Sequence, residues 1–311
     1  MTRLLAAVLT AVSMTMLAPA EARLVFPLSY KQLFKDAELV VIANAVSCAD
    51  ADKHIKNEQG DNSVPVLTSF KVLHVVKGAY ERPSLVLLHY RLKEGVLIFN
   101  GPDYVKFDTA QKRDLTGWAW PSTAYMLFLK KRRDGRYECV GGQTDPGFAV
   151  KKLTLEIWVS EFERSHRSAI DRMTYEGLFK DADLVVIASP LSTKEAAKEK
   201  QSQKNTSDQS LAVLTTLKVK HVVKGKLAGN KLVLLHHRLK KDVTISPEPL
   251  YLSFDMTRST GIEIEIEKGA SRTRTGPPVA TYLIFLKKRS DGYYECVTGQ
   301  TASTLAVNKV N

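Results

Sequence analysis

YMLFLKKRRDGRYECVGGQT, starting at Tyr125, and YLIFLKKRSDGYYECVTGQT, starting at Tyr282, are one stretch written twice in the chain. In each copy, apolar runs flank a basic segment that ends in Asp-Gly, at Asp134-Gly135 and Asp291-Gly292. Asp-Gly tolerates the positive φ angles of a two-residue type I′ turn, so the pattern predicts a β-hairpin. A hairpin that returns with nearly the same residues marks a duplicated unit. Upstream, LFKDAELVVIA at Leu33 returns as LFKDADLVVIA at Leu178, HVVKG at His74 returns at His221, and LVLLHYRLK at Leu85 returns as LVLLHHRLK at Leu232. The offset grows from 145 (Glu38 to Asp183) to 147 (His74 to His221) and 157 (Tyr125 to Tyr282), which places two insertions in the second copy.

Outward from the hairpins, each copy reads as a short helix followed by strands. Ser29 with Gln32 has capping-box spacing, whereas the second copy keeps Thr174 as cap but has Gly177 in place of the glutamine. The apolar run Leu39–Val46, repeated as Leu184–Leu191, predicts a strand buried on both faces. Val66, Thr68, Phe70, Val72, His74 and Val76 alternate along the next strand, matched by Val213 to Val223, and Gly78 and Gly225 end it. Leu85–Leu92 and Leu232–Leu239 form a third strand, on which His89 and Arg91, or His236 and Arg238, share one side. YVKFD at Tyr104 and YLSFD at Tyr251 predict a weaker fourth element, and GIEIEIEKG at Gly261 an extra edge strand or ribbon. The dissimilar polar stretches 49–63 and 194–209 read as solvated insertions.

Short strands, a leading helix and no βαβ spacing make the chain mainly β: two tandem OB-like antiparallel β-barrels, each with a short N-terminal helix. The expected division is a signal peptide at 1–22, a first barrel at 23–152, a linker at 153–170 and a second barrel at 171–311. The signal peptide rests on Arg3, the apolar run Leu4–Leu17 and the small-x-small site Ala20-Glu21-Ala22, which imply cleavage after Ala22 and a secreted or periplasmic protein. No stretch approaches the roughly 20 apolar residues of a membrane-spanning helix. The segment Leu153–Arg172 alternates like a strand in its first half and looks helical in its second.

The runs F-x-x-A-[D/E]-[L/V]-V-[V/I] (Phe34 to Val41, Phe179 to Val186), Lys77-Gly78 and Lys224-Gly225, and Tyr125 or Tyr282 with an Asp-Gly turn and a following Cys, resemble the netrin-like module. That is the OB-fold barrel of the tissue inhibitors of metalloproteinases. In those inhibitors an N-terminal Cys-x-Cys chelates the protease zinc and disulfides pin it to the barrel. Here the expected mature start is Arg23-Leu24-Val25, no Cys precedes Cys48, and Cys139 and Cys296 lie closer to the Asp-Gly turn than the family's Cys. The resemblance therefore implies the fold, and function must be argued from the site.

The 45 Lys and Arg against 33 Asp and Glu give a net charge of +12, which favours acidic partners. The cations cluster as Lys130, Lys131, Arg132, Arg133 and Arg136, as Lys287, Lys288 and Arg289, and as Arg238, Lys240 and Lys241. They read as an anion-binding rim on each barrel or as ordinary solvated turn tips. His89, Arg91, His236 and Arg238 form a second, polar group. We find no zinc motif, and His236-His237, adjacent in a strand, point to opposite faces, so no metal or cofactor is expected. The repeated Cys139 and Cys296 read as buried small apolar residues, and His74 and His221 as core histidines. Two classes of function remain. One is a non-catalytic binding protein whose partner is a protein or an anionic polymer at the cell surface, with no nucleic acid partner. The other is an exported metalloprotein or hydrolase using the repeated His and Cys; a protease inhibitor lacking the chelating cysteine is a third variant.

Overall fold

Seven residues of helix open each half of the molecule, and a hydroxyl starts both helices. The computed structural model describes residues 28–51, 62–96, 104–109, 123–142, 146–155, 174–196, 210–240, 252, 254, 262–267, 270–275, 280–299 and 306–310. Helix α1 is Tyr30–Asp36, and the Ser29 hydroxyl accepts the Gln32 N–H at 3.2 Å. Helix α2 is Tyr175–Asp181, with the Thr174 hydroxyl accepting from Gly177 N–H at 3.1 Å. The glutamine does not complete the box, because its side-chain amide donates to Asp36 instead. The helices end on a repeated device. Lys77 Nζ donates to the Phe34 and Ala37 carbonyls at 2.6 and 2.5 Å, and Lys224 Nζ to those of Phe179 and Ala182 at 2.6 and 2.7 Å. A cation on the orphan carbonyls satisfies them and opposes the negative end of the helix dipole. The next residue must be glycine: Gly78 has φ +86°, and a Cβ there would lie 2.5 Å from the Glu38 carbonyl oxygen, with Gly225 equally crowded by Asp183.

In the first half, β1 (Leu39–Asp50), β2 (Ser63–Lys77), β3 (Ser84–Leu92), β4 (Ala124–Lys131) and β5 (Tyr137–Cys139) form a closed five-stranded β-barrel. Their order is β1-β2-β3-β5-β4, and β4 returns to β1 through Leu39↔Leu129 to Asn44↔Ala124. Closure uses one parallel contact, Leu87↔Tyr137 between β3 and β5, so the barrel is not wholly antiparallel as its sequence predicts. In the second half β7 (Leu184–Glu195), β8 (Ser210–Lys224), β9 (Lys231–Leu239), β12 (Thr281–Lys288) and β13 (Tyr294–Cys296) repeat these pairings, including a parallel Tyr294↔Leu234 contact and a β12–β7 ladder. Val40–Ala43 and Val185–Ala188 are fully buried, in keeping with strands covered on both faces. β10 (Ile262–Glu267) and β11 (Ala270–Thr275) pair only with each other, as the expected ribbon.

Three features depart from expectation. The hairpin turn is longer than a two-residue type I′ turn: Gly135 N–H closes on the Arg132 carbonyl and Arg132 N–H on the Arg136 carbonyl, leaving a three-residue loop with Gly135 at φ +83°. The second copy does the same at Arg289, Gly292 and Tyr293. No strand forms at residues 104–109; Phe107 instead meets Phe70, His89 and Tyr125 edge to face. Finally, β6 (Val150–Leu155) runs through the expected boundary at residue 153. It follows a 3-10 turn at Pro146–Ala149, pairs with β4, and pairs again with β14 (Val307–Val310) of the other half. The halves are thus joined through β6 and β14 into one 12-stranded sheet. The expected signal peptide at 1–22, residues 156–170 of the expected linker and Lys241 lie outside the described residues.

Candidate functional site

His89 projects from the middle of β3 into the barrel, where its Nε2 meets the Thr68 hydroxyl at 2.7 Å and its ring stands edge-on to Phe107 at 5.1 Å. His236 repeats this with Thr215 at 2.8 Å and Phe254 at 5.7 Å. Both residues are 3% exposed, and among the described residues the second ring nitrogen of each has no hydrogen-bond partner. Burial pushes both imidazoles down to about 4, which keeps them neutral at physiological pH. A threonine chain lengthens the second site, since Thr193 Oγ1 lies 3.0 Å from Thr215 Oγ1; the first copy has Cys48 at that register.

The polar group predicted from the sequence therefore divides. Arg91 turns to solvent and clasps Asp50 with Nε and Nη2 at 2.8 to 3.1 Å, and Arg238 reaches Glu195 at 2.9 Å. His89 and His236 stay inside. Cys139 and Cys296 are buried free thiols at the β4–β5 and β12–β13 pairings, and burial pushes them up to about 12. A thiol held there supplies almost no thiolate, so these two residues fill core. Arg91 thus faces Asp50 at the surface, while His89 and Cys139 are buried. Among the described residues no group of three His, Cys, Asp or Glu side chains is placed to hold a metal ion, and no helix is long and apolar enough to cross a membrane.

The basic rim is built with its own anions. Lys130 sits opposite Glu138 in the β4–β5 register and pairs with it at 3.2 Å. Arg132 reaches Glu138 at 2.9 Å and Asp134 at 3.4 Å, and Arg136 lies 3.7 Å from Asp134. Asp134 accepts the Arg136 N–H, which with the two guanidiniums holds its carboxyl below the usual range. In the second half Arg289 pairs with Asp291 at 3.3 Å and Glu295 at 2.9 Å. Lys131, Arg133, Lys287, Lys288, Arg238 and Lys240 are exposed, and Arg238 among them is paired with Glu195.

Two features were missed from the sequence. A β-bulge interrupts β1 between Ala45 and Ser47 and β7 between Pro190 and Ser192, turning Val46 and Leu191 out to solvent. These equivalent residues, 58% and 44% exposed, are two of the three large apolar side chains exposed among the described residues; Val86 is the third. Val46 and Leu191 close the apolar runs that the sequence expects to be buried on both faces, and the bulge turns them out instead. The other feature is His74 and His221, which lie between the halves rather than in either core. His74 stacks on Phe179 at 4.0 Å and His221 on Phe34 at 4.1 Å. Compared with known proteins, the chain matches no protein-family model and no curated protein.

Proposed function

We propose that this chain is an exported, non-catalytic binding protein made of two tandem OB-like barrels of the netrin-like kind, and that its partner is a protein. The barrel order β1-β2-β3-β5-β4 and its recurrence among β7, β8, β9, β13 and β12 support the OB-like reading. One observation carries the functional reading: the reactive side chains that the duplication preserves are internal, while an exposed aliphatic side chain recurs at one repeat position beside the exposed Lys131 and Lys288. His89, His236, Cys139 and Cys296 are buried as neutral groups, and Val46 and Leu191 face water at matching bulges. A single exposed aliphatic side chain is ordinary on a protein surface; its return at the same bulge in both copies is what supports contact with another protein surface. An anionic polymer is the weaker reading, because Glu138, Asp134, Asp291 and Glu295 already engage much of the rim's positive charge.

Capture from native extracellular or periplasmic extract tests this, comparing wild type with Val46→Asp/Leu191→Asp and with Lys131→Gln/Arg133→Gln/Lys287→Gln/Lys288→Gln. Loss of the captured protein in the first variant alone is the expected result. Loss in the second alone, with affinity falling steeply as salt rises, would instead identify an anionic polymer. A hydrolytic activity that disappears on His89→Gln or His236→Gln would overturn the non-catalytic reading.

A further inference from the structure

Phe34 and Phe179 each stand between the two halves. Phe34 leans edge-on against Phe128 of its own half at 5.0 Å and lies flat on His221 of the other, at an interplanar angle of 16°. Phe179 does the same with Phe285 at 5.0 Å and with His74 at 17°. The contacts are reciprocal: Phe34 and Phe179 occupy one repeat position, and His74 and His221 another. The β6–β14 pairing obeys the same symmetry, because Leu153↔Val310 joins two equivalent positions. The halves thus meet about a local two-fold axis, where a short ladder and two aromatic stacks join an apolar cluster that is continuous across them.

We propose that the paired His–Phe stacks are a pH-sensitive latch: with both imidazoles neutral they hold the halves together, and protonation loosens the β6–β14 joint while each half stays folded. A neutral imidazole lies flat on a phenyl ring at little cost in hydration, whereas an imidazolium must give up water to remain in a half-buried seat. Attraction between the cation and the ring face offsets part of that loss. The surroundings decide the remainder. At His74, Glu176 of α2 favours the charged form and Lys224 of β8 opposes it, with burial the larger influence and downward. β1 pairs there through Ile42 and brings only apolar side chains from Leu39 to Ala43. At His221 burial also lowers the imidazole, and β7 pairs through the equally apolar Ile187. The repeat position that holds Glu176 at the first stack is Lys31 on α1, and the position of Lys224 is Lys77 on β2. No carboxylate comes from those positions at the second stack, where burial alone lowers the imidazole.

The sign follows from the lowered imidazoles: the stabilisation is complete above pH 6.5 and is lost as pH falls below it. The experiment is amide hydrogen exchange of the full chain at several pH values from 7.5 to 5, with protection factors at Val307–Val310 compared with those of β4 and β12. Imidazole NMR titration of the same samples supplies the midpoints of His74 and His221. We expect β14 protection to fall by up to about tenfold per pH unit for each proton taken up, in step with the titration of His74 or His221, while β4 and β12 stay protected. The double variant His74→Phe/His221→Phe keeps two flat rings and is expected to hold β14 protection constant over that range. Titration of both imidazoles in wild type without change at β14 would overturn the latch, as would an undiminished pH response in the double variant. The wild-type titration decides the matter even if the variant fails to fold. A partner-binding failure leaves it intact, since no ligand is involved.

Discussion

Thr68 and Thr215 each give a buried histidine one hydrogen bond, and among the described residues its other nitrogen has none. That arrangement tolerates the neutral ring and penalises the cation. In an unfolded chain these imidazoles titrate near 6.5, and in the fold burial lowers both to about 4. The stability they contribute is complete above pH 6.5, is lost as pH falls between 6.5 and 4, and amounts to about 3 kcal/mol for each ring. Two such rings match a large share of the roughly 5 to 15 kcal/mol that holds a typical domain folded. Urea midpoints measured from pH 7.5 to 4 should therefore drop steeply below pH 6.5, and His89→Gln should remove about half of that pH dependence. A midpoint flat across the range would show that the rings become charged in place. The sequence put His89 and Arg91 on one side of β3 as a polar group, because strand alternation fixes a face. It did not show that the two part company, His89 buried on Thr68 and Arg91 at the surface on Asp50.

Charge along the β4–β5 hairpin illustrates the same boundary at the scale of an element. Composition and the Asp-Gly signal were enough to place two apolar strands and a basic tip. What the cations touch depends on register, which turns on whether the loop has two residues or three. With three, Lys130 falls opposite Glu138, and Arg132 folds back to the same carboxylate. The side chains of Arg132 and Glu138 are only 18% and 16% exposed, so their pairing is screened less than that of a free surface pair. Glu138→Gln should cost about 1 kcal/mol of stability, seen as a lower urea midpoint with an unchanged slope. Lys131→Gln and Arg133→Gln, at exposed positions, should shift the midpoint by less than about 0.5 kcal/mol. Equal losses from all three substitutions would mean that the tip is held by its overall charge rather than by this ion pair. The fourth predicted strand failed for a different reason: Phe107 has the composition of a strand residue, but its ring is drawn into the cluster of Phe70, His89 and Tyr125.

The whole molecule is two copies closed on each other, and only the existence of the copies was legible. Their contacts join residues more than 100 positions apart, through a pairing of β6 with β14 that no local pattern encodes. The Val307–Val310 strand is also too short for its likeness to Val150–Leu155 to stand out at the end of the repeat. Symmetry nevertheless makes a sharp demand. Leu153 and Val310 face each other at the axis, 4% and 8% exposed, and each also pairs with its own half, Leu153 with Ala124 and Val310 with Thr281. A carboxylate introduced at either position enters the same junction from opposite sides, with no cation paired to it in these ladders except through Lys152 and Lys309 one residue away on the other face. Leu153→Asp and Val310→Asp should each destabilise the chain by roughly 2 to 4 kcal/mol, and by similar amounts, as read from denaturant unfolding. If Leu153→Asp is costly while Val310→Asp is neutral, the second half does not close on the first in solution, and β6 serves its own barrel alone.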